Sequence, residues 1–206
     1  MLFASPKMGG VVRCQTVLQH DLCSLLEVDH TVVSFRVFPE DVEYAWCGAR
    51  VWLRPDFHVT GRASASMRVL PHVIVKICCE ADISGEWSKA RQRVVESVLS
   101  PPGTVLQLVT PGAIRRQPRL ANVRLLLRFR SFMPDPAIGS LIERAAGQPD
   151  GARIGDIVPE VRWAEVLASV AGLVLRGAVW LDLNAPIGPN TRVFSCEEET
   201  SCFICA

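Results

Sequence analysis

The chain has 206 residues, of which 49% are hydrophobic and 21% are charged, and its formal net charge is +1. This composition is typical of a globular protein with ample apolar residues for a core, and the low net charge disfavours a protein that coats nucleic acid uniformly. The longest uncharged apolar run, residues 166–175, is too short to span a bilayer. The first residues lack the basic and then apolar order of a signal peptide, so we expect a cytoplasmic protein without membrane contacts.

The first 130 residues combine helical and strand-like apolar patterns. Strands are predicted over residues 31–38, 42–46, 49–53, 73–78 and 104–109. Helices are predicted over residues 15–28, 85–99 and 120–127. The Cys47-Gly48 pair predicts a hairpin between the second and third strands, and residues 55–59 are expected to continue that hairpin after Pro55. Ser84 is expected to cap the second helix, with Trp87, Val94 and Val98 facing inward.

A domain boundary is predicted at Met133-Pro134-Asp135-Pro136. Beyond it, helices are expected over residues 138–146 and 160–176, and Gly177 ends the second of them. Two short strands, over residues 179–183 and 192–194, are expected to form a wing. The order of elements predicts an α/β protein in which a mixed sheet flanked by helices precedes a small, mainly helical domain.

Lys76 lies within an apolar, strand-like segment and is one of three lysines beside nineteen arginines. A charge at such a position is costly to bury unless it is paired or used. Asp56 lies twenty residues upstream, in a Pro-Asp pair at the end of another strand-like stretch. A carboxylate and a lysine on neighbouring strands resemble the layout of metal-dependent DNA-cleaving folds, in which the acid holds Mg²⁺ and the lysine acts beside the attacked phosphate.

A basic segment follows the last strand of the first region. Six arginines fall within sixteen residues that contain no acidic side chain: Arg115, Arg116, Arg119, Arg124, Arg128 and Arg130. Such a patch attracts phosphate backbones, so it is a candidate DNA-binding surface. The alternative is a solvated basic face of a helix.

Eight cysteines are present, and three of them, Cys23, Cys78 and Cys79, lie in apolar periodic segments. We expect these three to be reduced, buried thiols. The tail over residues 196–206 contains Cys196, Cys202 and Cys205, which supply half of a zinc site at most. No Cys-x-x-Cys or Cys/His pair elsewhere in the sequence completes such a site.

Taken in order, these segments resemble the TnsA endonuclease family of bacterial transposons. The similar segments are the opening helix at residues 18–29, the strand at 31–36, the proline-aspartate strand at 53–59, the lysine strand at 73–76, the arginine-rich end at 108–130 and a C-terminal stretch at 175–187. The resemblance implies a restriction-endonuclease-like domain over residues 13–132, a winged-helix domain over 137–195 and a Cys-rich tail over 196–206.

The resemblance also implies an activity, which is metal-dependent phosphodiester hydrolysis at transposon ends together with a transposase subunit and a regulatory ATPase. The family's site takes a Glu on the opening helix, the Asp of Pro-Asp, and a Glu or Gln two residues before the Lys. The corresponding residues here are Gln19, Asp56, Ile74 and Lys76. The implied catalytic residues are therefore Asp56, Lys76 and Gln19, and the implied metal is Mg²⁺ or Mn²⁺.

Two of these positions have lost the expected acid. Mg²⁺ is held mainly by carboxylates and waters, and neither Gln19 nor Ile74 supplies a negative charge. His72 shares the strand face of Lys76 by alternation, so His72 joins Asp56 as a candidate metal ligand. The alternative for His72, and for His58 beside Asp56, is a hydrogen-bonded structural histidine. The nearest carboxylates on the opening helix, Asp21 and Glu27, are expected to be solvated.

These replacements favour an alternative function. The chain is then a catalytically impaired module with a nuclease fold, which binds DNA through its arginines and docks transposition partners without cutting. A decayed gene product without a function is a third hypothesis.

Overall fold

Helices and strands form a mixed α/β arrangement in two units of the computed structural model, which describes residues 1–37, 40–62, 72–85, 87–158 and 160–196. Within this part of the chain, unit 1 holds residues 1–22 and 31–114. Unit 2 holds residues 23–30 and 115–196. The first helix therefore contributes residues to both units.

The elements of unit 1 agree with most of the predicted ones. Its strands are β1 (Leu2–Ser5), β2 (Gly10–Arg13), β3 (Val32–Val37), β4 (Val42–Trp46), β5 (Ala49–Leu53), β6 (Phe57–Gly61), β7 (His72–Ile77) and β8 (Val105–Val109). Its helices are α1 (Val17–Val28), which continues into unit 2, α2 (Glu80–Gly85), α3 (Lys89–Val98) and α4 (Pro111–Ile114). The hairpin of β1 and β2 and the short helices α2 and α4 have no counterpart in the prediction.

The main sheet of unit 1 is mixed and has the strand order β3-β6-β7-β8. Strand β6 pairs antiparallel with both β3 and β7, and β7 pairs parallel with β8. The register places His58 opposite Ile74 and Thr60 opposite His72, so these four side chains share one face of the sheet. The parallel pair of strands is joined through α2 and α3.

The β4–β5 hairpin and α3 pack against the Ile74 face of this sheet. The core there consists of Tyr44, Leu53, Ile74, Trp87, Val95, Leu99 and Leu106. Arg91 is buried in the same layer, where its guanidinium donates hydrogen bonds to Tyr44 Oη and lies 4.6 Å from the centre of the Trp87 ring. Ile74 and Lys76 lie on the same face of the sheet, and the β4–β5 hairpin and α3 cover this face at Ile74.

The hairpin prediction is confirmed, but its extension is wrong. Cys47 and Gly48 join β4 to β5 with positive φ values of 50° and 78°. Residues 57–61 do not continue β5; they form β6 of the main sheet. The backbone explains the change, because the N–H of Asp56, directly after Pro55, donates to the Val75 carbonyl at 2.8 Å and so joins the main sheet.

The helix predicted over residues 85–99 corresponds to the shorter helix α3 (Lys89–Val98). The N-cap of α3 is Ser88, whose hydroxyl accepts the Arg91 N–H, whereas Ser84 lies inside α2. The inward-facing residue near the end of α3 is Val95, which is fully buried, and Val98 is 48% exposed. The predicted cap at Ser84 and the inward position of Val98 are therefore wrong, because α3 begins four residues later than a cap at Ser84 implies.

Unit 2 contains the predicted helices and the two predicted C-terminal strands. Its elements are α5 (Arg119–Leu127), α6 (Pro136–Ala146), β9 (Ala152–Arg153), α7 (Ile154–Ile157), α8 (Trp163–Leu175), β10 (Val179–Leu181) and β11 (Arg192–Ser195). Helix α8 packs against α5 and α6, and Gly177 ends it with a φ of 68°. The strand order β10-β11-β9 makes a small antiparallel sheet with one strand more than predicted.

One buried amide connects the first and last parts of unit 2. Asn122 of α5 donates from Nδ2 to the carbonyls of Leu183 and Ala185, at 2.8 and 2.7 Å. The loop after β10 is thereby held against α5.

Within the described residues, none of the helices combines the length and the apolar character that crossing a membrane requires.

Candidate site at Asp56

The three residues proposed as catalytic lie together in unit 1. Asp56 directly precedes β6, and its carboxylate accepts the Ile77 N–H at 2.8 Å and the Lys76 ammonium at 3.3 Å, both through Oδ2. Its Oδ1 accepts Nε2 of Gln19 at 2.9 Å. The side chains of Asp56 and Lys76 are 15% and 27% exposed, so this ion pair is mostly shielded from water.

The amide of Gln19 has a defined orientation. Gln19 is buried on α1, and its Oε1 accepts the Gln15 N–H at 2.8 Å. A backbone N–H needs an oxygen and a carboxylate needs a donor, so only one orientation of the amide satisfies both neighbours. Gln19 therefore presents an N–H group to Asp56, and its oxygen is held by the start of α1.

Ile74, two residues before Lys76, lies in the hydrophobic core. Its side chain is fully buried in the layer formed with Tyr44, Trp87 and Leu106. An ionised carboxylate at this position would be enclosed by apolar groups, which is costly without a partner. The residue in the expected acidic position thus serves packing.

His72, the other candidate ligand, pairs with His58. Their Nδ1 and Nε2 atoms are 3.1 Å apart, and the two rings stack with centroids 5.2 Å apart. Burial, and then the positive charges of Arg36 and His72, lower the pKa of His58. His72 and Lys76 share a face of β7, but four residues of strand separate them by about 13 Å. That separation is large for side chains sharing one metal ion.

The groups around Asp56 do not fit the magnesium site that the resemblance implies. Mg²⁺ takes oxygen ligands, usually one or two carboxylates with waters or phosphates. Among the described residues, the Asp56 carboxylate accepts hydrogen bonds from an amide N–H, an ammonium and a backbone N–H, all of which are donors. Among the residues that the structure describes, no three His, Cys, Asp or Glu side chains are grouped so that they could hold a metal ion.

The acids of α1 differ from expectation. Asp21 is 1% exposed and Glu27 is 2% exposed, so the prediction that both are solvated is wrong. The reason is that every residue from 21 to 29 is buried, including the polar ones. The apolar stripe of the sequence indicated one buried face and did not reveal that the second half of the helix is enclosed.

The arginine segment lies in unit 2. Leu120, Val123 and Leu126 of α5 are buried, while Arg124 and the following Arg128 are exposed. Arg115 and Arg116, before the helix, are also exposed. Arg119 differs, because it is half-buried and its pKa is lowered by burial and by Arg116, with Asp29 opposing the shift. The exposed basic surface therefore consists of Arg115, Arg116, Arg124, Arg128 and Arg130.

The cysteine predictions are partly confirmed. Cys23 and Cys78 are buried, and burial, followed by Asp82, raises the pKa of the Cys78 thiol to about 11. Cys79 is exposed, so its predicted burial is wrong; it follows the end of β7 and precedes α2. Cys202 and Cys205, which the half-zinc-site hypothesis needs, lie outside the described residues.

Comparison with known proteins adds no assignment. No protein-family model matches the chain, and no curated protein matches it. The function is therefore inferred from the Asp56 site and the basic surface.

Proposed function

We propose that this chain is a TnsA-like protein of a bacterial transposition system that binds DNA and docks its transposase and regulatory ATPase without cutting DNA. The proposed architecture is a restriction-endonuclease-like domain followed by a winged-helix domain. It is supported by the mixed sheet with Asp56 and Lys76 on adjacent strands in unit 1. In unit 2, the helices α6, α7 and α8 and the small three-stranded sheet are compatible with a winged helix.

The observation that argues against cleavage is that hydrogen-bond donors surround the Asp56 carboxylate; we call these donors its donor shell. A metal-dependent nuclease uses its metal to activate water and to neutralise charge on the phosphoryl oxygens. Here the Asp56 carboxylate is already balanced by Lys76 and by two neutral N–H donors. A neutral cluster of this kind has little electrostatic attraction for a divalent cation. Asp56 acts instead as an acceptor that joins α1 to the ends of β6 and β7.

DNA binding is supported by the exposed basic surface of unit 2. Arg124 within α5 and Arg128 at its C-terminal end are both exposed and lie one helical turn apart. Contacts of this kind neutralise phosphates and release counterions, so binding falls as salt rises. Replacing Arg124 and Arg128 by alanine is expected to reduce the slope of log K against log salt by about 1.8. Because phosphate contacts position the protein without reading bases, the loss is expected to be similar for different sequences.

A second candidate is an active endonuclease that cuts transposon ends with Mg²⁺ or Mn²⁺. The 3.3 Å contact of Lys76 with Asp56 favours it, because this pair is the part of the implied site that remains.

Plasmid nicking distinguishes the two candidates. Supercoiled plasmid is incubated with wild type and with Asp56→Ala over a series of Mg²⁺ and Mn²⁺ concentrations, with and without the partner transposase. DNA affinity is measured in parallel by fluorescence polarisation. Bound but uncut DNA under every condition supports the proposal. Nicking by wild type that disappears in Asp56→Ala refutes it and supports the endonuclease.

A matched control isolates the basic surface. Arg50→Ala combined with Arg54→Ala removes the same two charges from exposed, ion-paired positions of the β4–β5 hairpin. This control is expected to keep most of the DNA affinity that the Arg124 and Arg128 variant loses. Equal losses would show that only net charge matters and that α5 is not the DNA surface.

A further inference from the structure

A groove in unit 2 lies apart from the Asp56 site and from the basic surface. It has a volume of about 590 Å³, within the range typical of ligand sites. Its walls come from the end of α6, from the β9–α7 segment and from the start of β11. Three arginines line it: Arg144 on α6, Arg153 on β9 and Arg192 on β11.

Two of these arginines are direct neighbours across the small sheet. Arg192 of β11 pairs in register with Arg153 of β9, which brings their Cβ atoms to within about 5 Å of each other. Like charges on directly opposite residues are unfavourable for stability. Arg192 Nη1 donates to the Asp150 carbonyl at 2.5 Å, a contact that positions its guanidinium. Among the described residues no ion pair is found for Arg153 or Arg192, so no carboxylate compensates this pair of arginines directly.

The other groups in the groove indicate what it binds. Leu141 is 42% exposed, and Ile157 is half-buried, so the groove has an apolar wall. Asp150 and Asp156 also line it, so a ligand whose negative charges are spaced apart fits the groove better than a continuous phosphate backbone. A peptide with alternating acidic and apolar side chains offers its carboxylates to the arginines and its apolar side chains to Leu141 and Ile157. Arginine binds carboxylates in a two-pronged geometry that suits such recognition.

We propose that this groove binds an acidic peptide segment of a partner protein, with Arg153 and Arg192 contacting its carboxylates. The inference deepens the docking role proposed above and rests on it for the identity of the partner. The carboxylates of the peptide would neutralise the like-charged arginine pair, so relief of this repulsion would add to the binding free energy.

The test uses the full chain and a short fluorescein-labelled peptide of alternating glutamate and leucine. Arg153→Ala is expected to weaken peptide binding at least tenfold, the effect of losing one charged hydrogen bond. Arg162→Ala is the matched control, because Arg162 is an exposed arginine of unit 2 that does not line the groove. The same peptide with glutamine in place of glutamate is expected not to bind.

Two further measurements distinguish a binding role of Arg153 from a structural role and from a role in DNA binding. The Tm of Arg153→Ala is expected to stay unchanged or to rise, because a like-charge contact is removed; a fall in Tm with lost binding would indicate a structural role and overturn the proposal. DNA affinity is expected to be unaffected by Arg153→Ala, so failure of peptide binding and failure of DNA binding are separate outcomes.

Three results would contradict the assignment. The first is no binding of the acidic peptide by wild type. The second is equal competition by duplex DNA, which would make the groove a phosphate site. The third is markedly tighter peptide binding when Glu197, Glu198 and Glu199 are changed to glutamine, which would identify the chain's own acidic residues as the occupant.

Discussion

Gln19→Glu tests whether the Asp56 site is built to work without a metal ion. The substitution keeps the size of the side chain and an oxygen for the Gln15 N–H, but it replaces the N–H that Asp56 accepts at 2.9 Å with a second carboxylate. In a magnesium site such a carboxylate would be a ligand. In the donor shell described above it is a repulsive neighbour.

The size of the effect follows from charge and protonation. Two carboxylates whose charges are roughly 4 Å apart repel by about 4 kcal/mol at an effective dielectric constant near 20. Protonation limits this cost, because keeping a glutamic acid of ordinary pKa neutral at pH 7 costs about 3.7 kcal/mol. Lys76 offsets part of the repulsion. We expect the free energy of unfolding to fall by about 2 to 4 kcal/mol at pH 7, and Tm to fall by about 5 to 15 °C.

The loss depends on pH in a defined direction. The introduced carboxyl has a folded-state pKa above its unfolded value of about 4.3, so the unfolded state loses its proton first as pH rises. The deficit is therefore absent below that pH and grows by about 1.4 kcal/mol per unit until pH passes the folded-state pKa. A protonated carboxyl also donates to Asp56 again, which restores the lost contact.

Urea unfolding of wild type, Gln19→Glu and the control Gln15→Glu at pH 5 and pH 7 measures this difference. Gln15 is exposed four residues earlier, so the control adds the same charge in water. Added Mg²⁺ is expected to restore about 1.4 kcal/mol to Gln19→Glu at tenfold the dissociation constant and to leave wild type unchanged at matched ionic strength. A wild type stabilised by Mg²⁺, with the effect lost in Asp56→Asn, would refute the reasoning.

Three other predictions concern the surroundings. Asn122→Ala removes the donor to the Leu183 and Ala185 carbonyls and is expected to cost about 1 to 3 kcal/mol in urea unfolding, with faster amide hydrogen exchange in that loop. The pKa of His58 is lowered in the fold, so stability is expected to decrease as pH falls from about 6.5 through the lowered value, and His58→Gln is expected to flatten this slope. At pH 8, iodoacetamide is expected to modify the exposed Cys79 before Cys78, whose pKa is raised to about 11; mass spectrometry of the peptides reports the order.

Most of the elements could be predicted because each depends on residues within its own segment of the sequence. The leucine stripe of α1 and the apolar run of α8 each lie within one helix, and Gly177 ends the latter with the positive φ that glycine adopts readily. The hairpin of β4 and β5 also needs only its own turn. Which sheet β6 joins depends on pairing with β3 and β7, which are distant in sequence, so local alternation assigned it to the wrong neighbour.

The residues of the candidate site could be predicted as a group, but their chemistry could not. Asp56, Lys76 and Gln19 lie together as the resemblance implies. Whether Gln19 offers oxygen or N–H depends on the Gln15 N–H at the start of α1, a contact that no sequence pattern records. Alternation placed His72 on the correct face of β7, but a shared face sets no distance along the strand.

The presence of Asp56 and Lys76 does not by itself indicate cleavage. The Asp56 carboxylate accepts hydrogen bonds from α1, from the Lys76 side chain and from the Ile77 backbone at the end of β7. Its loss would leave three shielded donors without an acceptor, a cost of about 1 to 3 kcal/mol for each buried group. Structure alone therefore gives a reason to keep this carboxylate and its lysine. The acids that the resemblance implies at positions 19 and 74 would have no such role without a metal ion, and the residues at these positions are an amide and a core isoleucine.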